Sequence, residues 1–136
     1  MSRRRRAREA AMQILFQADF DREADPSEIR KRFWEDHPAD AETRAFADDL
    51  VEGATAHREE IDELLRRISE HWSVSRMSPV DRNLIRSAIY ELLYKETPSR
   101  VVINEAIEIA KRYGTEESGA FVNGILDRVS RETHVG

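Results

Sequence analysis

The longest apolar pattern in the chain repeats at intervals of three and four residues. Its members are Phe46, Leu50, Ala54, His57, Ile61, Leu64 and Ile68. This spacing places the seven side chains along one face of an α-helix, whose period is 3.6 residues. The pattern predicts one long helix or two abutting helices, with Gly53 as the expected weak point because glycine costs about 1 kcal/mol in a helix interior.

The segment before this pattern predicts two further helices. Small and apolar residues recur at helical spacing from Ala7 to Ala18. A second, short helix is predicted with Ser27 as its N-cap, running through Phe33 and Trp34, because Ser27 follows Pro26 directly. The sequence HPAD at residues 37–40 then interrupts the helical pattern.

Start and stop signals divide the remaining chain into three more helices. Ser78 is a predicted N-cap with Pro79 at the first helical position, and Pro98 separates the middle helix from the next one. Gly114 is a predicted C-cap, and Thr115 is predicted to cap the last helix. Since no segment alternates as a strand does, the sequence predicts an all-α fold, a compact bundle of six or seven helices.

The length of 136 residues predicts a single domain over residues 1–136. Residues 8–16 align weakly with residues 86–94, which pairs Arg8 with Arg86. This similarity indicates either an ancient duplication or a chance helical pattern. If it is a duplication, the domain consists of two packed helical subdomains, about 1–74 and 75–136.

Composition excludes several classes of protein. The chain has no cysteine, which excludes disulfides and thiolate chemistry. It also has no apolar run near the ~18 residues of a membrane span. We therefore expect a soluble cytoplasmic protein without membrane association.

The sequence contains no recognisable catalytic or cofactor site. The four histidines, at positions 37, 57, 71 and 134, lack metal-ligand spacing, and His57 is interpreted as a packing residue. Residues 19–25, DFDREAD, lack the glycine and glutamate of a calcium loop and are interpreted as an acidic, solvated loop. GTEESGAFVNG lacks the lysine of a phosphate-binding loop. We expect no metal, no cofactor and no enzymatic activity.

The first eight residues contain five arginines, although the formal charge of the chain is −5. Guanidinium groups bind phosphate through two parallel hydrogen bonds and stack on unpaired bases. The cluster therefore favours nucleic-acid binding, and a solubilising, disordered tail is the alternative.

Some polar and aromatic residues within the apolar helical patterns have two interpretations. Asn104 and Asn123 are expected to form interhelical hydrogen bonds, because buried amides need partners. Gly124 is expected to allow close approach of another backbone. Four aromatic residues are either core residues or stacking platforms for bases: Phe16, Tyr90, Tyr94 and Phe121.

Three segments resemble the NusB family: RRRAREAAMQILFQ (4–17), IRSAIYELLY (85–94) and VVINEAIEIAKRYGTEESGAFVNGILDRV (101–129). The resemblance covers nearly the full length, and residues 21–45 carry almost none of it. It implies an all-helical transcription antitermination factor of two packed subdomains. Such proteins bind boxA RNA of nascent transcripts, notably those of ribosomal RNA operons. They do so together with the ribosomal protein NusE, in a complex with RNA polymerase.

The resemblance also implies roles for particular residues. Those that match the RNA-contacting positions are Arg4, Arg5, Arg6, Arg8, Gln13, Phe16, Glu117, Ser118 and Phe121. Phe16 replaces a tyrosine that is common in the family, and Ala120 stands where many relatives have lysine. The residues that match the NusE-facing region are Asp81, Arg82 and Arg86.

Two alternatives stay open at this point. One is a self-associating helical scaffold, such as a homodimer, with non-specific affinity for RNA. The arginine cluster argues against it, because a pure scaffold does not need one. The other is part of an RNA cytosine methyltransferase, in which NusB-like domains precede the catalytic domain. No cofactor-binding pattern follows residue 129, so we do not expect that reaction.

Overall fold

The computed structural model describes residues 2–69 and 73–133. Within these residues it consists of seven α-helices and one short 3-10 turn, and it contains no strand. The predicted all-α bundle is confirmed. The helices are α1 (Arg3–Phe20), α2 (Pro26–Asp36), α3 (Ala41–Ala56), α4 (Arg58–Ile68), α5 (Pro79–Tyr94), α6 (Ser99–Tyr113) and α7 (Ser118–Thr133), and the 3-10 turn is Val74–Arg76.

Side-chain caps set most of the helix starts. Ser78 Oγ accepts a hydrogen bond from the Asp81 backbone N–H, and Pro79 is the first residue of α5, as predicted. The predicted cap of α2 is wrong, because Asp25 is the N-cap and its carboxylate accepts from Ser27 N–H. Thr115 precedes α7 by three residues, and its hydroxyl accepts from Glu117 N–H in the turn that leads into the helix.

The long apolar pattern forms two abutting helices that meet at His57 and not at Gly53. His57 ends α3 and precedes α4. Gly53 lies inside α3, and the ring of Tyr90 in α5 occupies the space where a side chain at this position would lie. A Cβ atom at Gly53 would lie 2.0 Å from Tyr90 Cζ. Glycine is therefore required here by packing between helices, and the helix continues through it.

Helix α5 occupies the centre of the fold and packs against α1, α3, α4, α6 and α7. Its buried apolar residues include Leu84, Ile85, Ile89 and Leu92. They belong to one apolar cluster that is continuous from α1 to α7. The division into two subdomains stays a prediction, and the core they would share is continuous.

Three expectations about α6 and α7 are wrong. Asn104, Asn123 and Gly124 are exposed, and a Cβ atom at Gly124 would meet nothing within 4 Å. Their apolar neighbours along the chain, such as Val122 and Ile125, are buried on the other side of the same helix. None of the described helices is long and apolar enough to cross a membrane.

Candidate nucleic-acid interface

Three of the N-terminal arginines lie on the exposed side of α1, next to α3 and the segment before it. Arg3 forms ion pairs with Asp40 (3.1 Å) and Glu42 (2.8 Å). The guanidinium carbon of Arg4 lies 4.0 Å from the centroid of the Phe46 ring. Arg6 donates a hydrogen bond to the carbonyl of Pro38. The alternative of a disordered tail is wrong, because Arg3 to Arg8 are all helical and Ser2 caps the helix.

Arg5 and Arg8 point the other way, toward α5 and α6. Arg8 forms a two-point ion pair with Glu91, with Nε–Oε1 at 2.8 Å and Nη2–Oε2 at 2.6 Å. The side chains of Arg8 and Glu91 are only 9% and 2% exposed. Glu105 of α6 accepts from Arg5 Nε at 3.0 Å and from Arg8 Nη1 at 3.3 Å. The hydrogen bond from Arg5 lowers the pKa of Glu105.

The arginine cluster therefore has two parts. The Arg8 guanidinium forms ion pairs with carboxylates inside the protein, and Arg5 is half-buried beside it. Arg3, Arg4 and Arg6 stay at the surface. The RNA contacts inferred from the resemblance stay predictions, and the structure separates surface cations from one buried ion-paired residue.

A groove of about 300 Å³ adjoins this surface. It lies between α1, α2 and α6, and it brings Arg6 and Gln13 together with several aromatic rings. Those rings belong to Phe33, Trp34, His37 and Tyr113. Phe33 and His37 stack with centroids 4.4 Å apart. None of the four was a candidate from sequence. Phe33, Trp34 and His37 lie in the segment 21–45, which carries almost no family resemblance, and Tyr113 was not singled out within the segment 101–129. The sequence signal for this groove is the aromatic pair Phe33 and Trp34, which is followed by His37 one helical turn later.

Phe16 does not line this groove. It is half-buried further along α1 and contacts Phe20, with ring centroids 5.0 Å apart. The ring of Phe20 is 68% exposed. Of Gln13 and Phe16, predicted together from the resemblance, Gln13 lines the groove, and Phe16, three residues later on α1, does not.

A second, smaller cavity of about 150 Å³ lies where α5 and α7 begin. It unites Asp81, predicted to face the protein partner, with Glu117, Ser118 and Phe121, predicted to contact RNA. Ser118 is buried, and its hydroxyl accepts from Thr115 N–H at 2.9 Å, which stabilises the turn before α7. Asp81 is 8% exposed, and its Oδ1 has no hydrogen-bond partner. An unsatisfied buried oxygen costs about 1–3 kcal/mol, and because this oxygen is itself buried, the cavity does not expose it to a ligand.

Arg82 and Arg86 are held by carboxylates of other helices. Arg82 Nη2 lies 2.7 Å from Asp19 Oδ2, and Arg86 donates to both Asp62 oxygens at 2.9 Å. Burial opposes ionisation of Asp19, but hydrogen bonds from Arg82 and Asn83 outweigh it and lower its pKa. The prediction of a solvated acidic loop is therefore wrong for Asp19, which lies in the last turn of α1 with a side chain only 5% exposed. The rest of that segment is largely exposed.

The remaining aromatic candidates differ in exposure. Tyr90 is buried against Gly53, whereas Tyr94 is 44% exposed. His57 stacks on Tyr94 with ring centroids 4.1 Å apart, and this contact confirms its interpretation as a packing residue. The Tyr94 hydroxyl donates to Glu60, which raises the pKa of Tyr94.

In residues 2–69 and 73–133, no group of three or more histidine, cysteine or acidic side chains could hold a metal ion. His71 and His134 lie outside the described residues.

Comparison with known proteins finds the same resemblance over nearly the whole chain. A family model described as "NusB family" matches residues 5–131. The transcription antitermination protein NusB of Desulfitobacterium hafniense is 54% identical over 128 residues, which are 93% of this chain and 86% of the relative. A solved structure of T. maritima NusB is 46% identical with a TM-score of 0.88, covering 97% of this chain and 92% of that one. A chain from the crystal structure of antitermination factors NusB and NusE in complex with dsRNA is 30% identical. Its TM-score is 0.86, and the match covers 97% of this chain and 98% of that one.

Proposed function

The chain belongs to the NusB family, and we therefore propose that it is a transcription antitermination factor. In this proposal it binds boxA RNA of nascent transcripts, notably those of ribosomal RNA operons, together with the ribosomal protein NusE. The resulting assembly acts on RNA polymerase in the cytoplasm. The observation that carries the proposal is the match along 97% of the chain to a NusB solved with NusE and RNA.

The surface around Arg4 and Arg6 supports the RNA-binding part of the proposal. The Arg4 guanidinium lies over the Phe46 ring and forms no ion pair within the described residues, so its N–H groups are available to phosphate. Arg6 borders the groove that contains Gln13 and Trp34, where aromatic faces suit unpaired bases. We assign the direct RNA contacts to these residues. Arg5 and Arg8 position the start of α1 through Glu105 and Glu91.

The cavity at the start of α5 and α7 supports a second RNA contact. Asp81, Glu117 and Phe121 line this cavity, so carboxylates and an aromatic side chain lie together where the resemblance places RNA. Ala120, in place of a lysine, supplies no cation there, but the exposed Arg76 lies on the rim of the same cavity. Ser118 shapes this site through its hydrogen bond to Thr115 and is not assigned a contact of its own.

The NusE contact is proposed at the beginning of α5. Asp81 and Arg86 are buried, whereas 16% of the Arg82 side chain is exposed. Direct contact with the protein partner is therefore assigned to Arg82, and Arg86 positions it through their shared partner Asp19. We propose no catalytic activity, and self-association into a homodimer stays an alternative.

Fluorescence anisotropy of labelled RNA tests the proposal. We expect boxA RNA to bind more tightly than a scrambled RNA, and NusE to increase the preference. In a salt titration, Arg4→Gln should reduce the slope of log affinity against log salt by about 0.7 for each lost phosphate contact. The matched control is Arg131→Gln, which removes one exposed positive charge beside Asp127 on α7. It should leave the slope unchanged. Equal binding of both RNAs with and without NusE would contradict the proposal and favour the scaffold with non-specific RNA affinity.

A further inference from the structure

A second arginine-rich surface lies at the opposite end of α1 from the N-terminal cluster. It is a cavity of about 520 Å³ between the end of α1, α4, the 3-10 turn and the start of α5. Five arginines line it, namely Arg22, Arg58, Arg66, Arg82 and Arg86, against two carboxylates, Asp19 and Asp62. Asp19 lies fourteen positions after Arg5, so the two surfaces are about 21 Å apart along α1.

The inner part of this cavity is electrically balanced. Asp19 accepts from Arg82, and Asp62 accepts from two nitrogens of Arg86. The remaining guanidinium nitrogen of Arg82, Nη1, donates to the carbonyls of Val74 and Met77. These two guanidiniums and two carboxylates neutralise one another, and they form the inner wall of the cavity.

The outer part carries an excess of positive charge. Arg58 has only long contacts, 3.5 Å to Asp19 and 3.8 Å to Asp62. Arg22 makes no ion pair within the described part of the chain, and Arg66 pairs only with the exposed Glu63. Burial lowers the pKa of Arg58, and the positive charge of Arg86 lowers it further. An anion in the cavity would favour the charged form of Arg58 and so offset both effects on its pKa.

The donors around this space suit a phosphate group. Planar guanidiniums form paired hydrogen bonds to phosphate oxygens. The hydroxyls of Ser73 and Ser75 hydrogen-bond to each other at 3.1 Å, which leaves one O–H as a further donor on the same wall. We infer that the cavity between α1, α4 and α5 is a phosphate-binding site, with Arg58 and Arg22 as its principal ligands. The phosphate belongs either to a small molecule, such as a mononucleotide, or to the backbone of bound RNA.

The first experiment uses inorganic phosphate and no RNA, so it is independent of the proposed function. Thermal unfolding is followed while phosphate replaces chloride at constant ionic strength. We expect a saturable rise of Tm for the wild type. Arg58→Gln and Arg22→Gln should each abolish most of that rise, and Arg131→Gln should retain it. Both cavity variants should fold, because Arg58 has only long contacts and Arg22 has no ion pair. Their Tm in chloride verifies this.

The second experiment identifies the source of the phosphate. If RNA supplies it, Arg58→Gln lowers the salt slope of boxA binding by about 0.7, as one lost contact requires. If the slope is unchanged while phosphate still raises Tm, the ligand is a small phosphate compound.

Three results would overturn the inference. One is the absence of any effect of phosphate on Tm together with an unchanged slope. Another is an equal rise of Tm in Arg58→Gln and Arg131→Gln. The third is an equal rise with acetate, which would show a carboxylate site that suits an acidic protein segment.

Discussion

Arg8 of α1 and Arg86 of α5 occupy matching positions in the weak internal repeat, and each is a buried arginine paired with carboxylates of other helices. The space around them differs. Arg8 borders a void of about 10 Å³, which is near the minimum for one water molecule. Arg86 lines a cavity of about 520 Å³. Charge is balanced around Arg8, where Arg5 and Arg8 meet Glu91 and Glu105, whereas arginines outnumber carboxylates around Arg86. A closed, balanced network stabilises the fold, and an open, unbalanced one is available to a ligand.

The largest predicted effect tests the closed network. Arg8→Ala leaves Glu91 buried without its partner, and breaking such a pair typically costs about 3–5 kcal/mol of unfolding free energy. Urea unfolding measures this loss. Arg4→Ala, on the exposed side of the same helix, is the control and should stay within about 0.5 kcal/mol of the wild type. Equal losses in the two variants would mean that the pair with Glu91 does not stabilise the fold.

A smaller loss is expected from the open network. Arg86→Ala removes the partner of Asp62, but water can enter the adjacent cavity and solvate the carboxylate. Arg58 also stays nearby, 3.8 Å from Asp62. We expect a loss of about 1–3 kcal/mol in the same urea experiment, the range for a polar group that loses its partner. If Arg86→Ala costs more than Arg8→Ala, the contrast between the two networks is wrong.

The smallest predicted effect is the acid sensitivity of the two networks. The pKa of Glu105 lies below its ordinary value of 4.5, and the pKa of Asp19 lies below 3.8. A carboxylate whose pKa is lowered by folding stabilises the folded protein at pH values above its ordinary pKa. This stabilisation is lost as the pH falls through the pKa of the folded state. The stability difference between the wild type and Glu105→Gln, or Asp19→Asn, should therefore shrink from about pH 5 to about pH 3. Urea unfolding across this range measures the difference, and one that stays constant would exclude ionisation as its source.

The helices themselves were largely predictable. Periodicity, prolines and caps such as Ser78 act within a few residues, so a local sequence pattern determines them. The resemblance to the NusB family likewise depended on motifs in α1, α5, α6 and α7. The groove residues in α2, such as Trp34, were missed because their role depends on a neighbouring helix and not on a motif.

The amino-acid sequence by itself determined the all-α class, the positions of most helix ends and the family, because each depends on local spacing or on contiguous motifs. Only the tertiary structure explained Gly53, because the ring of Tyr90 leaves no room for a side chain there, and it placed the helix break at His57 instead. The tertiary structure also decided which arginines stay at the surface. Arg8 meets Glu91, 83 residues away, and Arg82 meets Asp19, 63 residues away. Such pairs depend on how helices pack, because a guanidinium is buried only where folding brings a carboxylate to it.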